Sequence, residues 1–118
     1  MPRAILTEIK DRNDLQSILQ SNPGKIIIKF GAEWCGPCKK VEPLIQQWFS
    51  RLPDTVQPYM IDIDECFDVY AFLKTKKIVN GVPVILCYHE GNVTPFPDSG
   101  VLGADVAQIN QFFQSVIS

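Results

Sequence analysis

The chain is short of several things that would assign it to other protein classes. No apolar run approaches the roughly 18 residues of a membrane-spanning helix, and Met1 to Lys10 contains no apolar signal-peptide core. The sequence therefore predicts neither a membrane anchor nor a secretory leader. A net charge of −2 leaves no electrostatic footprint for nucleic acid or an anionic membrane. Four cysteines in 118 residues are too few for a disulfide scaffold and suit a reducing compartment, so a cytoplasmic location is expected. There is no internal repeat and no low-complexity linker. With 46% hydrophobic and 20% charged residues, residues 1–118 are expected to form one domain around a core they can fill.

The chain does carry two thiols three residues apart, in Gly31-Ala32-Glu33-Trp34-Cys35-Gly36-Pro37-Cys38-Lys39. Before them, Ile26-Ile27-Ile28-Lys29-Phe30 follows the turn signal Asn22-Pro23-Gly24 and reads as a buried strand. After them, Val41, Leu44, Ile45, Trp48 and Phe49 recur at helical spacing as far as about Arg51. The cysteines thus stand where a strand hands over to a helix. Pro37 suits the first helical turn, which places Cys35 at the helix N-terminus and Cys38 about one turn further in. Unpaired backbone N–H groups and the positive end of the helix dipole favour a thiolate at Cys35. Cys35 is then the nucleophile, and Cys38 resolves the mixed disulfide it forms.

Periodicity and turn residues place the other elements. A short strand near Arg3–Leu6 precedes a helix near Asp11–Gln20, with Leu15, Ile18 and Leu19 on its apolar face. A strand near Val56–Asp62 is followed by a helix over about Cys66–Lys74, capped by Asp64 and packed through Phe67, Tyr70, Ala71 and Leu73. Val84–His89 and a run near Val93–Phe96 form a hairpin turned at Glu90-Gly91-Asn92. Asp105 caps a last helix whose Ile109, Phe112, Phe113 and Val116 face the sheet.

Over nearly its whole length the chain resembles thioredoxin. Trp34-Cys35-Gly36-Pro37-Cys38-Lys39 is identical to that family's active-site motif, and Pro43 stands where the family has a kinking proline. Met60-Ile61-Asp62-Ile63-Asp64-Glu65-Cys66 is similar to its third strand and the turn that follows. Gly81-Val82-Pro83-Val84 is similar to its cis-proline loop, and Leu102-Gly103-Ala104 to the glycine segment before its last helix. The resemblance implies an α/β thioredoxin fold, a central mixed β-sheet flanked by helices on both faces. It also implies a thiol–disulfide oxidoreductase that reduces protein disulfides and is recycled by a disulfide reductase. Such a protein needs no metal and no organic cofactor, the redox-active Cys35–Cys38 pair being the whole apparatus, and it works as a monomer. Val82 would offer its backbone groups to an extended substrate beside a cis Val82–Pro83 bond, with Trp34, Gly36, Pro37 and Gly103 completing a shallow contact surface.

The chain departs from the family pattern at a few positions. Six residues before Cys35, where thioredoxins carry a buried carboxylate that helps move the second cysteine's proton, stands Lys29. A lysine commonly opposite that carboxylate is Met60 here, and Gly31 replaces a second tryptophan. A charged Lys29 near the sulfurs would stabilise thiolate and make the couple more oxidising by a few tens of millivolts. A buried, neutral Lys29 could accept the proton from Cys38, whereas one snorkelling to the surface would touch neither sulfur. A disulfide oxidase or isomerase is accordingly the alternative activity, and a thioredoxin-fold binding subunit the alternative from another class.

Several residues have competing structural and functional readings. Cys66 reads as a partly exposed regulatory thiol at a helix start, and Cys87 as a buried small hydrophobe. Cys87 and His89 share a strand face and could in principle join Cys35 and Cys38 in a zinc site, although His89 alone reads as a surface residue. Asp62, Asp64, Glu65 and Asp68 read as a cap and a solvated helix start before they read as a cation site. Asn92–Gly103 is expected as a loop beside the binding surface that tunes partner choice.

Overall fold

The computed structural model describes residues 2–118. In chain order it contains α1 (Arg12–Gln20), β1 (Lys25–Gly31), α2 (Gly36–Phe49), β2 (Val56–Asp62), α3 (Phe67–Thr75), β3 (Val84–His89), β4 (Ser99–Leu102) and α4 (Val106–Ile117). The strands form one mixed sheet in the order β2-β1-β3-β4, with β1 parallel to β2 and antiparallel to β3. This is a thioredoxin fold.

Side-chain alternation along β1 divides the core into two layers. Ile26, Ile28 and Phe30 face α1 and α3, meeting Leu15, Leu19, Val69, Tyr70 and Leu73. Ile27 faces the other way, toward Val41, Ile45, Trp48 and Phe49 of α2 and Ile109, Phe112 and Phe113 of α4. Lys29, two residues beyond Ile27, is on this second face, beneath the first turns of α2. The starts of α1 and α4 are capped by side chains, Asp11 accepting the Asp14 N–H and Asp105 the Gln108 N–H. Within α2, Pro43 cannot donate to the Lys39 carbonyl, one turn above the cysteines.

Several elements differ from the sequence expectation, each for a local reason. The strand expected at Arg3–Leu6 reduces to a single bridge from Leu6 to Tyr59. Leu6 donates to the Pro58 carbonyl at 3.1 Å and accepts from Met60 N–H at 2.8 Å. The next parallel bond would need an N–H on Pro58, which has none. The Ala4 carbonyl takes the Gln57 amide instead.

The partner of β3 is Ser99–Leu102, not Val93–Phe96. Pro95 and Pro97 offer no donors to a ladder, and Asn92 folds its segment locally by accepting from the Thr94 N–H and hydroxyl. Strand pairing resumes where Asp98 N–H reaches the Cys87 carbonyl at 2.9 Å. Asp64 does not cap α3. Its N-cap is Cys66, with no side-chain cap bond, and Phe67 projects outward with 71% of its surface exposed.

Candidate functional site

The candidate site lies at the C-terminal edge of β1, where Cys35 is the N-cap of α2 and forms a disulfide with Cys38. Gly36 and Pro37 make the first helical positions, and Cys35 Sγ accepts the Cys38 N–H at 3.2 Å. The helix thus directs one of its unpaired N–H groups at this sulfur, which favours negative charge there. Both sulfurs belong to buried residues packed with Ala32 and, beside them, Ile63 and Val82. Around them the surface is open: Trp34 is 67% exposed, and Gly36 and Pro37 are exposed.

Residues distant in sequence complete the rim. The Val82–Pro83 bond is cis, and the Val82 carbonyl oxygen lies 3.7 Å from Cys35 Sγ. Gly103, at φ 95°, donates its N–H to the Pro83 carbonyl at 2.8 Å and fastens this loop to the end of β4. That φ is in the region glycine enters without a Cβ penalty. Trp34 is held on the opposite side by Asp64, whose carboxylate accepts the indole N–H at 2.9 Å. Composition around Asp64 suggested a cap, so this anchor was missed. Its signal was the excess of carboxylates after β2 over the N–H groups available to them.

Beneath the disulfide runs an open cleft of about 630 Å³, lined by Lys29, Gly31, Cys38, Glu42, Met60 and Asp62 among others. Met60 is the register partner of Lys29 on β2. Lys29 does not snorkel: only 4% of its side chain is exposed, and its Nζ is 4.0 Å from the Glu42 carboxylate, too long for a hydrogen bond. Burial pulls the Lys29 pKa below its usual 10.5, and Glu42 and then Asp62 partly offset that pull. A Cβ built on Gly31 would lie 2.8 Å from Lys29 Nζ and 3.6 Å from Cys38 Sγ. Amine and sulfur therefore border one small space, which Gly31 leaves open.

Other candidate residues fall away from this centre. Cys66 is buried rather than partly exposed, its thiol 4.0 Å from the Thr7 carbonyl. Cys87 is fully buried opposite Ile27, where desolvation pushes its thiol up to about 11. His89 is exposed opposite Lys25, at the far end of β1 from the disulfide, so the postulated Cys35, Cys38, Cys87 and His89 zinc set is not assembled. Among the described residues no group of three or more His, Cys, Asp or Glu is arranged to hold a metal ion. Asp62 accepts the Asp64 N–H, and Asp68 pairs with Arg12 at 3.1 Å. Residues 92–98 also lie at the His89 end, so of the Asn92–Gly103 segment only the Leu102–Gly103 end borders the site.

Comparison with known proteins places this geometry. The thioredoxin family model matches residues 6–114. Thioredoxin-2 of Saccharomyces cerevisiae is 31% identical over 111 residues, covering 94% of this chain and 98% of the yeast protein. Thioredoxin of Mycoplasma pneumoniae is 36% identical over 87 residues, covering 74% of this chain and 79% of its own. Among solved structures, Malassezia sympodialis thioredoxin superposes with a TM-score of 0.73 at 22% identity, covering 100% of this chain and 96% of that one, a likeness of fold. With the family's Cys-Gly-Pro-Cys pair closed as a disulfide at the head of α2, the chain belongs to the thioredoxin family of thiol–disulfide oxidoreductases.

Proposed function

We propose that this protein reduces disulfides in protein substrates, with Cys35 as nucleophile and Cys38 as resolving thiol. The observation that carries the assignment is the position of Cys35 Sγ at the N-cap of α2, accepting a helix N–H and facing the Val82 carbonyl under an open rim. In the reduced protein the Cys35 thiolate attacks one substrate sulfur, forming a mixed disulfide and releasing the other substrate sulfur as a thiolate. Cys38 then loses its proton and attacks Cys35 Sγ. The Cys35–Cys38 bond forms, the second substrate thiolate leaves, and both released thiolates take up protons from solvent. Two electrons pass to the substrate, and a disulfide reductase supplies two more to reduce the Cys35–Cys38 disulfide again.

Val82 and Pro83 line the substrate groove, with an extended segment pairing to the Val82 backbone, and Gly103 holds that edge in place. Trp34, Gly36 and Pro37 provide the exposed contact surface, and Lys29 supports the site from below. The reaction calls on no metal or organic cofactor, the cysteine pair carrying both electrons. The low cysteine content and two buried free thiols support a reducing, cytoplasmic setting, and the chain's size and mixed surface support a monomer.

Insulin reduction tests the activity, and mixed-disulfide capture tests the roles. Cys38→Ser should trap a stable Cys35-linked mixed disulfide with a substrate protein, whereas Cys35→Ser should trap none. Capture by Cys35→Ser alone would reverse the assignment.

A further inference from the structure

Resting on the reading that substrate pairs with the Val82 backbone, we propose that Tyr70 is a positioning residue for protein substrates, its phenol oxygen anchoring the loop that presents Val82 to Cys35. Periodicity makes Tyr70 a packing residue of α3, and its ring does pack. It is buried, and it meets Phe30 of β1 edge-on with ring centroids 5.6 Å apart. The hydroxyl reaches further, accepting the Gly81 N–H at 2.9 Å. That bond joins the middle of α3 to the residue before Val82.

Little else fixes the backbone on this side of Val82. The N–H groups of Lys77 and Ile78 close the end of α3 on the Lys74 and Leu73 carbonyls. From Val79 to Val82, Gly81 carries the one backbone N–H that has a hydrogen-bond partner among the described residues. Val79 is buried and Val82 is partly so, both against the α1–α3 layer of the core. Gly81 sits at φ 121°, a region that glycine enters without steric cost, and a Cβ there would meet no atom within 4 Å. Neither a side chain nor a neighbouring wall confines this residue, so the tyrosine oxygen is its restraint. Beyond Val82, Gly103 donates to the Pro83 carbonyl at 2.8 Å. Two hydrogen bonds from different elements thus bracket Val82, whose carbonyl oxygen lies 3.7 Å from Cys35 Sγ. A polypeptide paired to Val82 is aligned with Cys35 only as well as Val82 is, and small misplacements of reacting atoms slow a reaction strongly. A small disulfide has no extended backbone to pair and reaches Cys35 without the loop.

Tyr70→Phe keeps the ring and removes only the oxygen. Insulin reduction recycled by dithiothreitol gives kcat/KM for a protein substrate, and stopped-flow reaction with dithiobis-nitrobenzoate gives the rate of Cys35 attack on a small one. In Tyr70→Phe, kcat/KM for insulin should fall about three- to tenfold, the scale of one lost hydrogen bond, while the nitrobenzoate rate changes by less than about twofold. A residue that only stabilised the fold would alter neither rate in the folded protein. Amide hydrogen exchange reads the bond itself: Gly81 should be protected in the wild-type protein and lose that protection in Tyr70→Phe. Gly81→Ala keeps the N–H but disfavours φ 121°, and should lower kcat/KM for insulin in the same direction. Pairing with Val82 is tested separately, by a gain in Val82 amide protection when Cys38→Ser is joined to a cysteine peptide of the insulin B chain. A wild-type insulin rate in Tyr70→Phe with Val82 protected in that adduct overturns the inference alone. An equal fall for both substrates also overturns it, as does a Gly81 amide that is unprotected in the wild-type protein. No gain in Val82 protection overturns the pairing and this inference together.

Discussion

Burial of Lys29 should be measurable as a dependence of folding stability on pH. The perturbation is Lys29→Met, which keeps an unbranched side chain of similar length and removes the amine. The oxidised protein is the one to use, because Cys35 and Cys38 do not titrate while joined. Lys29 is 4% exposed with Glu42 at 4.0 Å, so at neutral pH its protonation costs folding free energy that the pair recovers only in part. Replacing such a poorly paired buried charge by an apolar isostere should stabilise the protein by roughly 1–4 kcal/mol at pH 7.

The sign of the pH dependence follows from the lowered pKa. Between the folded pKa and the usual 10.5, the unfolded chain holds a proton on Lys29 that the folded chain does not. Stability rises with pH wherever the unfolded state binds more protons, by at most about 1.4 kcal/mol per pH unit for one group. The cost is thus fully present below the folded pKa and absent above 10.5. Cys87, Tyr88 and Tyr59 act oppositely: burial raises their pKa values, so their contribution is lost as the unfolded chain ionises at high pH. Those groups are common to both proteins and cancel in the difference. Urea unfolding of both proteins at half-unit steps from pH 7 to 10.5 should show the advantage of Lys29→Met shrinking as the pH passes the lowered folded pKa towards 10.5. A difference that stays flat over that range would refute the burial argument.

Three further outcomes are expected. Phe113 is fully buried, stacked on Trp48 at 5.4 Å and edge-on to Phe49 and Phe112, so Phe113→Ala should cost about 3–5 kcal/mol in urea unfolding. In the native reduced protein, iodoacetamide at pH 8 should label Cys35, activated at the N-cap of α2, while Cys66 and Cys87 react only after denaturation, as mass spectrometry will read directly. Asp105→Ala removes the acceptor for the Gln108 N–H and should lower stability by about 1 kcal/mol, seen as a reduced midpoint with an unchanged denaturant slope.

Much of the site was legible in the residues. An isoleucine-rich run, two thiols, a proline in the first turn and a periodic apolar face are local signals, and the structure has β1, the Cys35 cap and α2 where those signals lie. The residues left open whether Lys29 is buried or snorkels to the surface, which packing beneath α2 decides. The misreadings share a cause. Leu6 stops pairing because Pro58 on a distant strand lacks a donor, and Asp64 leaves α3 uncapped because Trp34 offers it an N–H. Cys66 is buried because the N-terminal segment passes over it.

Sequence by itself determined the four helices and the strands β1, β2 and β3, most of their apolar faces, and that two cysteines meet at a helix N-terminus. Those outcomes rest on interactions a few residues apart, carried by backbone sterics, capping and periodicity. Only the tertiary structure decided that Val82 faces Cys35, that Gly103 secures Pro83, and that Lys29, Glu42, Asp62 and Cys38 share one cleft. Their electrostatics depend on distance and shielding from water, which exist only once sheet and helices have packed.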